Sequence, residues 1–371
     1  MAQENQDPQI IEAGAETPEQ TQAAIERIKK ARAKLGDQVV ILGHHYQRDE
    51  VIQFSDFQGD SYKLCEQASK VSAQYIVFAG VHFMAESAVI LGRPDQTVIL
   101  PSLDAGCPLA DFANLAQVET AWREIESALG SDPDNLVMPI TYMNSTAELK
   151  AFVGQHGGTV CTSSNAPGAL KWAFAQREKV FFFPDQHLGR NTSRAMGISL
   201  DEMVLWDPFK PQGGLTTADI QQARIILWDG CCSVHQGFLP SHIDAWRNEH
   251  PDINVIVHPE CNMAVVDQAD CAGSTEFIIK TIAAAPPGSK WAVGTEIQLV
   301  NRLSKRHTDK LVVSLSPVTC RCDTMYQITP TALADVLEGL TEGKIINPIS
   351  VPDDIRRHAR VALDRMLTIS N

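Results

Sequence analysis

The chain of 371 residues is 44% hydrophobic and 20% charged, enough to build the cores of two or three compact units and too apolar for a disordered or disulfide-stapled chain. Its 31 basic and 45 acidic residues leave a net charge of −14, which repels polyanions and argues against nucleic acid or an anionic membrane as the main partner. Apolar runs such as Tyr75–Val81 fall far short of the ~18 residues of a membrane span, and the polar start Met1–Thr17 lacks the basic and apolar regions of a secretory signal. A cytoplasmic protein with reduced cysteines is therefore expected.

Thr17-Pro18-Glu19-Gln20 supplies an N-cap, a proline at the first helical position and a glutamine able to close a capping box, which predicts a helix. Ile25, Ile28 and Leu35 share one face of it, Lys29, Lys30, Arg32 and Lys34 form a solvated side, and Gly36 is the stop. Short β-branched runs then alternate with helical stretches: Val39–Leu42, Ile76–Phe78, Val98–Leu100, Leu136–Met138, Val180–Phe183, Ile225–Trp228, Ile253–Val257 and Leu311–Val313. Near-continuous apolarity suits strands of parallel sheets covered on both faces.

A strand-then-polar rhythm restarts near residues 38, 135 and 224, which predicts three related α/β units with strand ends facing one centre. The expected boundaries are 1–134 (first helix and first unit, with Cys107), 135–223 (second unit) and 224–345 (third unit, with Cys232 and Cys322). Asp132-Pro133-Asp134 and Gln212-Gly213-Gly214 are joints. In 346–371, Val351-Pro352-Asp353-Asp354 followed by Ile355, Ala359, Ala362, Leu363 and Met366 predicts an amphipathic helix packing on the core.

Nine cysteines in a cytosolic chain pose the question of metal binding. Cys320-Arg321-Cys322 and Cys231-Cys232 are too tight for paired zinc knuckles, and the local ferredoxin run is missing. Cys107, Cys232 and Cys322 instead follow separate strands, a constellation suited to an iron–sulfur cluster with one iron left open. Cys65 and Cys161 read as structural; Cys231, Cys261 and Cys271 border polar loops and stay open. His258-Pro259-Glu260 after a strand pairs an imidazole with a carboxylate, and His44, Tyr46 and His235 also fall at strand ends. Gly59-Asp60-Ser61, Cys161–Asn165 and Gly273-Ser274-Thr275-Glu276 are hydroxyl-rich turns able to hold carboxylate or phosphate. Phosphate loops and dinucleotide fingerprints are not found where a nucleotide site needs them.

Taken together, Gly43-His44-His45-Tyr46-Gln47, Gly59-Asp60-Ser61, Tyr142-Met143-Asn144-Ser145, Cys161–Asn165, Pro184–Gly189, Cys232-Ser233-Val234-His235, His258-Pro259-Glu260 and Gly294-Thr295-Glu296 resemble the quinolinate synthase family (iron–sulfur, type A), from about residue 38 to the end. The resemblance implies three homologous αβα units with parallel sheets about a pseudo-threefold axis, and a [4Fe-4S] cluster on Cys107, Cys232 and Cys322. By the same resemblance Cys232 is chosen over Cys231 because the family pattern places the ligand three before a histidine, here His235, and Cys322 over Cys320 because it places that ligand three before a methionine, here Met325.

The implied reaction condenses iminoaspartate with dihydroxyacetone phosphate to quinolinate, releasing phosphate and two waters, with the open iron as Lewis acid, for NAD biosynthesis. By the same resemblance Tyr46 and Glu260 move protons, His258 and His235 position or polarise substrate, His44, Ser61, Ser163, Ser274 and Thr275 hold carboxylates and phosphate, and Tyr142 and Asn144 line the pocket. Arg48 and Arg190 lie in these motifs and are expected to help hold anions. L-aspartate oxidase is the implied imine donor. Two rivals stay open: an iron–sulfur hydro-lyase on a small carboxylic acid, and a non-catalytic iron–sulfur redox sensor.

Overall fold

The computed structural model describes residues 15–369; residues 1–14, which hold most of the segment read for a secretory signal, lie outside the described residues. The first helix, Pro18–Leu35, forms as its sequence dictates. Thr17 Oγ1 accepts the Gln20 N–H at 3.2 Å and Gln20 Oε1 accepts the Thr17 N–H at 2.8 Å. Ile28 and Leu35 are buried and Lys29 and Lys30 exposed, but Arg32 leaves the solvated side to donate to the Val39 carbonyl and to Asp56.

Three sheets follow. The first contains β1 (Val39–His44), β2 (Phe57–Gly59), β3 (Tyr75–Ala79) and β4 (Thr97–Ile99). The second contains β5 (Val137–Tyr142), β6 (Thr159–Cys161), β7 (Lys179–Phe183), β8 (Met203–Trp206) and β9 (Ile225–Trp228). The third contains β10 (Asn254–Val257), β11 (Cys271–Ala272), β12 (Lys290–Gly294) and β13 (Leu311–Ser314). A last strand, β14 (Pro348–Ile349), returns to the edge of the first sheet as its antiparallel member. The protein is thus α/β with three parallel-dominated sheets, as the apolar runs predict.

The strand orders are β14-β4-β3-β1-β2, β6-β5-β7-β9-β8 and β11-β10-β12-β13. Each sheet therefore repeats one pattern: the first strand lies between its second and third, and the fourth lies beyond the third. Strands β14 and β8 are additions at the far edge. This pairing corrects the expected division at residue 224. Strand β9 is hydrogen-bonded to β7 and β8, so it and the Cys232 that follows it belong to the second sheet, and each sheet supplies one of the three candidate cysteines. Chain order hides this because β8 intervenes between the third and fourth strands.

Side-chain alternation covers both faces of the third sheet. Val255, Val257 and Ala292 join one apolar cluster, while Ile256, Trp291 and Val293 join another. A continuous core serves the first two sheets and the C-terminal helix Asp353–Thr368, which buries the expected Ala359, Ala362, Leu363 and Met366. None of the nine cysteines forms a disulfide, and among the described residues no helix is long and apolar enough to cross a membrane.

The helix Ala147–Gln155 packs against the C-terminal helix so closely that a Cβ at Gly154 would stand 2.0 Å from the His358 carbonyl oxygen. Alanine in a helix normally gains ~1 kcal/mol over glycine, but here the clash is with backbone and decides the sign. Gly154→Ala is expected to destabilise the fold by about 1–3 kcal/mol, read as a lower urea midpoint. An unchanged or raised midpoint would count against this contact.

Candidate active site

Parallel strands leave their sheet by the same edge, and a ligand crevice forms where the strand order reverses, at the first strand. The segments leaving β1, β5 and β10 occupy equivalent positions and contribute His44 and Tyr46, Tyr142 and Asn144, and His258 and Glu260 to one cavity. Those leaving β2, β6 and β11 contribute Ser61, Ser163 and Thr275. The segments after β4, β9 and β13 contribute Cys107, Cys232 and Cys322, and His235 completes the expected set.

Ser274 is the exception. It does not line the cavity; its side chain caps the helix Thr275–Ala284 by accepting the Phe277 N–H at 3.3 Å. Neither Arg48 nor Arg190 lines the cavity. Arg48 stacks 3.6 Å from the Tyr326 ring centre, and Arg190 donates to Gln186 at 2.8 Å.

The three cysteine loops share one construction. The first residue of a ten-residue helix donates its N–H to the carbonyl two residues before each cysteine: His82 to Ala105 at 2.8 Å, Gln186 to Gly230 at 2.9 Å and Ile297 to Cys320 at 3.0 Å. The backbone N–H three residues on, of Ala110, His235 and Met325, lies near each sulfur and lowers its proton affinity. Cys231 and Cys320 fall outside this pattern and outside the cavity; the Cys320 thiol packs against Gly237 and donates to the Val318 carbonyl. Burial pushes all three cavity thiols up, Cys107 to about 12 with Cys322 adding to the effect, and Cys232 well above its usual value.

One zinc ion with Zn–S bonds of ~2.3 Å would hold its sulfurs ~3.8 Å apart. Among the described residues, three ligand atoms lie within 4.8 Å of one another only in the group His235, His258 and Glu260. Cys107, Cys232 and Cys322 form no such compact group, and three partly exposed sulfurs lining one cavity suit a larger iron–sulfur cluster.

Glu260 is 3% exposed. Burial opposes its charge, yet His258 Nδ1 at 3.0 Å and His235 Nε2 at 3.3 Å on the same oxygen hold it well below the usual carboxylate range. The two imidazole rings stack at 4.4 Å, and burial pushes His235 down. Burial, with His45 and His258 nearby, also keeps His44 neutral. Its Nδ1 accepts the Tyr46 N–H at 3.2 Å, which leaves the proton on Nε2 as a donor. Tyr46 Oη lies 2.8 Å from Thr295 Oγ1 and 3.3 Å from Thr275 Oγ1, and burial raises it well above its usual range.

Sequence reasoning missed Asp60, Phe83, Met84, Thr162, Thr324 and Met325 as lining residues. Asp60 and Thr162 lay inside quoted motifs; the apolar Phe83 and Met84 carried no chemical signal.

This fold and cavity define an α/β enzyme built around one central small-molecule site. A family described as Quinolinate synthetase A protein (NadA) matches residues 24–368, and the chain belongs to it. Similar chains named quinolinate synthase come from Herpetosiphon aurantiacus, 57% identical over 93% of this chain and 92% of that one, and Acidobacterium capsulatum, 56% identical over 93% and 92%. A third, from Corynebacterium glutamicum, is 54% identical over 92% and 86%.

At the cavity's edge His45 Nε2 donates to Glu276 at 2.8 Å, with Lys63 at 3.6 Å. The His45 hydrogen bond, opposed by burial, brings Glu276 from 4.5 down to about 2. A depressed carboxyl contributes stability that is full above its unfolded value and is lost as pH falls through the folded one, here between 4.5 and about 2. Thermal stability followed from about pH 6 to about pH 3 should fall more steeply in the wild type than in Glu276→Gln. Parallel profiles would remove this bond from the acid sensitivity.

Proposed function

We propose that the protein condenses iminoaspartate with dihydroxyacetone phosphate, releasing phosphate and two waters, to give quinolinate for NAD biosynthesis. The observation that carries this reading is the equivalent construction of three thiol loops, one per sheet, around a cavity that also holds Tyr46 and the Glu260–His258–His235 group. Cys107, Cys232 and Cys322 would hold a [4Fe-4S] cluster, which when bound supplies a Lewis acid at the iron without a cysteine ligand.

The remaining chemistry belongs to the chain's own groups. In a −14 protein an anionic substrate needs local donors, and the His44 Nε2–H with the hydroxyls of Ser61, Ser163 and Thr275 meets that need for carboxylates and phosphate. Tyr142 and Asn144 wall the cavity and orient substrate between the first and third units. Tyr46 is neutral, and its oxygen sits between two threonine hydroxyls able to turn and donate as it gives up its proton. Glu260, ionised against two imidazoles, takes a proton from substrate, and His258 and His235 stabilise each charge state. Near-complete burial of His235, His258 and Glu260 keeps water from the imine. L-aspartate oxidase as imine donor and a cytoplasmic location belong to the same reading, as does the pseudo-threefold arrangement, which the repeated strand order supports. A redox sensor would leave the Glu260 group without use.

Protein purified anaerobically should be brown, carry about four irons per chain and make quinolinate from the two substrates. Cys107→Ala, Cys232→Ala and Cys322→Ala should each lose iron and activity, while Cys231→Ala and Cys320→Ala keep both. A colourless active protein would remove the cluster from the reading, and a brown one making no quinolinate would move it to the hydro-lyase or sensor. Tyr46→Phe should keep its iron and lose ~10²-fold or more in kcat; wild-type turnover would release Tyr46 from proton transfer.

A further inference from the structure

Beyond the Thr295 hydroxyl beside Tyr46, the turn Gly294-Thr295-Glu296 has no role in the chemistry above, yet its three consecutive residues each tie a different segment of the site. The Gly294 carbonyl accepts the His258 N–H at 3.0 Å, fixing the start of His258-Pro259-Glu260. A Cβ there would stand 2.8 Å from Val257 Cγ1 and 3.3 Å from Leu315 Cδ2, so the turn packs closely against both side chains. Thr295, fully buried, places Oγ1 2.8 Å from Tyr46 Oη. Glu296 caps the helix Ile297–Arg306 through Oε2, which accepts the N–H groups of Gln298 at 2.8 Å and Leu299 at 3.4 Å, while Oε1 accepts the Cys322 N–H at 3.4 Å. With Ile297 N–H on the Cys320 carbonyl, both ends of Cys320-Arg321-Cys322 are pinned to this helix start. The segment so held carries the Cys322 sulfur at the cavity and the Cys320 sulfur outside it.

We infer that Thr295 and Glu296 are positioning residues that set the Tyr46 hydroxyl against the Cys322 thiol. Adjacent Cα atoms stand ~3.8 Å apart across a trans peptide, so one rigid strand end fixes the spacing of two groups that come from opposite ends of the chain. Glu296 is peculiar to the third unit: the equivalent cap of the first unit is Val81, which makes no side-chain cap bond, and that of the second is Asp185, which accepts the Leu188 N–H. The inference rests on the cluster and on the role of Tyr46 proposed above.

The test compares Thr295→Val, Thr295→Ser, Glu296→Ala and wild type, all purified anaerobically, by iron content, electron paramagnetic resonance of the reduced cluster, rate of iron loss to a chelator, and kcat, KM and the pH profile of kcat. Thr295→Val should keep wild-type iron, resonance and KM but lose ~10-fold or more in kcat with an altered pH profile, and Thr295→Ser should restore both. Glu296→Ala should lose iron to the chelator several-fold faster and change the resonance. Wild-type kcat and pH profile in Thr295→Val, or wild-type iron retention and resonance in Glu296→Ala, would overturn the inference while wild-type protein still carries iron and makes quinolinate. Wild-type protein without iron or product would instead overturn the reading on which the inference rests.

Discussion

Parallel pairing constrains everything else in this molecule. A parallel strand presents its carboxyl end at the same edge as its neighbours, and in each sheet the first strand lies between the second and the third. Four exits therefore open on one side, with the crevice at the first strand. Three repetitions supply two polar residues from each first exit, at least one hydroxyl from each second and one thiol from each fourth. Third exits start the helices whose first N–H groups hold the thiol loops. The division of chemistry among exits follows from topology rather than from any local motif.

Electrostatics then decides which groups in the cavity carry charge. Burial alone would neutralise every titratable group there, and for the three thiols it prevails: without a cation they keep their protons, so whatever they bind must displace three of them. For Glu260 two hydrogen bonds to one oxygen outweigh burial. The cavity thus sets the ionised Glu260 together with a neutral tyrosine and a neutral His44, a contrast of proton affinities within a small space. Such contrast is what acid and base work on neighbouring atoms requires.

Local signals carried much of this into the sequence. The capping box at Thr17 and Gln20, the apolar runs of β1, β7 and β9 and the polar exits after them depend on residues a few positions apart, and each is visible as spacing. Strands β2, β6 and β11 have two or three residues, too few for a period to show. Pairing of β9 with β7 and β8 is a choice among sheets, which no local pattern records, and Cys232 was misassigned with it. Ser274 and Thr275 part by one position: at the start of a helix, one hydroxyl turns back to cap the helix and the next faces the cavity. Thr295 could not be read as a partner of Tyr46 because 249 residues separate them.

The same alternation explains how the units are joined. Along a strand exit successive side chains point to opposite sides, so a residue beside one that faces the cavity is free to meet the neighbouring unit. His45, between His44 and Tyr46, pairs with Glu276, itself next to Thr275. Ser164, next to Ser163, donates at 2.5 Å to Asp60, which itself lines the cavity beside Ser61. Asn191 of the second unit donates to the carbonyls of Pro259 and Cys261 at 2.8 and 2.9 Å, on either side of Glu260. Each seam between units is thus fastened at a cavity-lining residue or one residue away from it, and the segments that hold the ligand also hold the units together. Parting any two units must displace cavity groups on both sides of the seam, so the geometry of the site and the packing of the three sheets cannot vary independently.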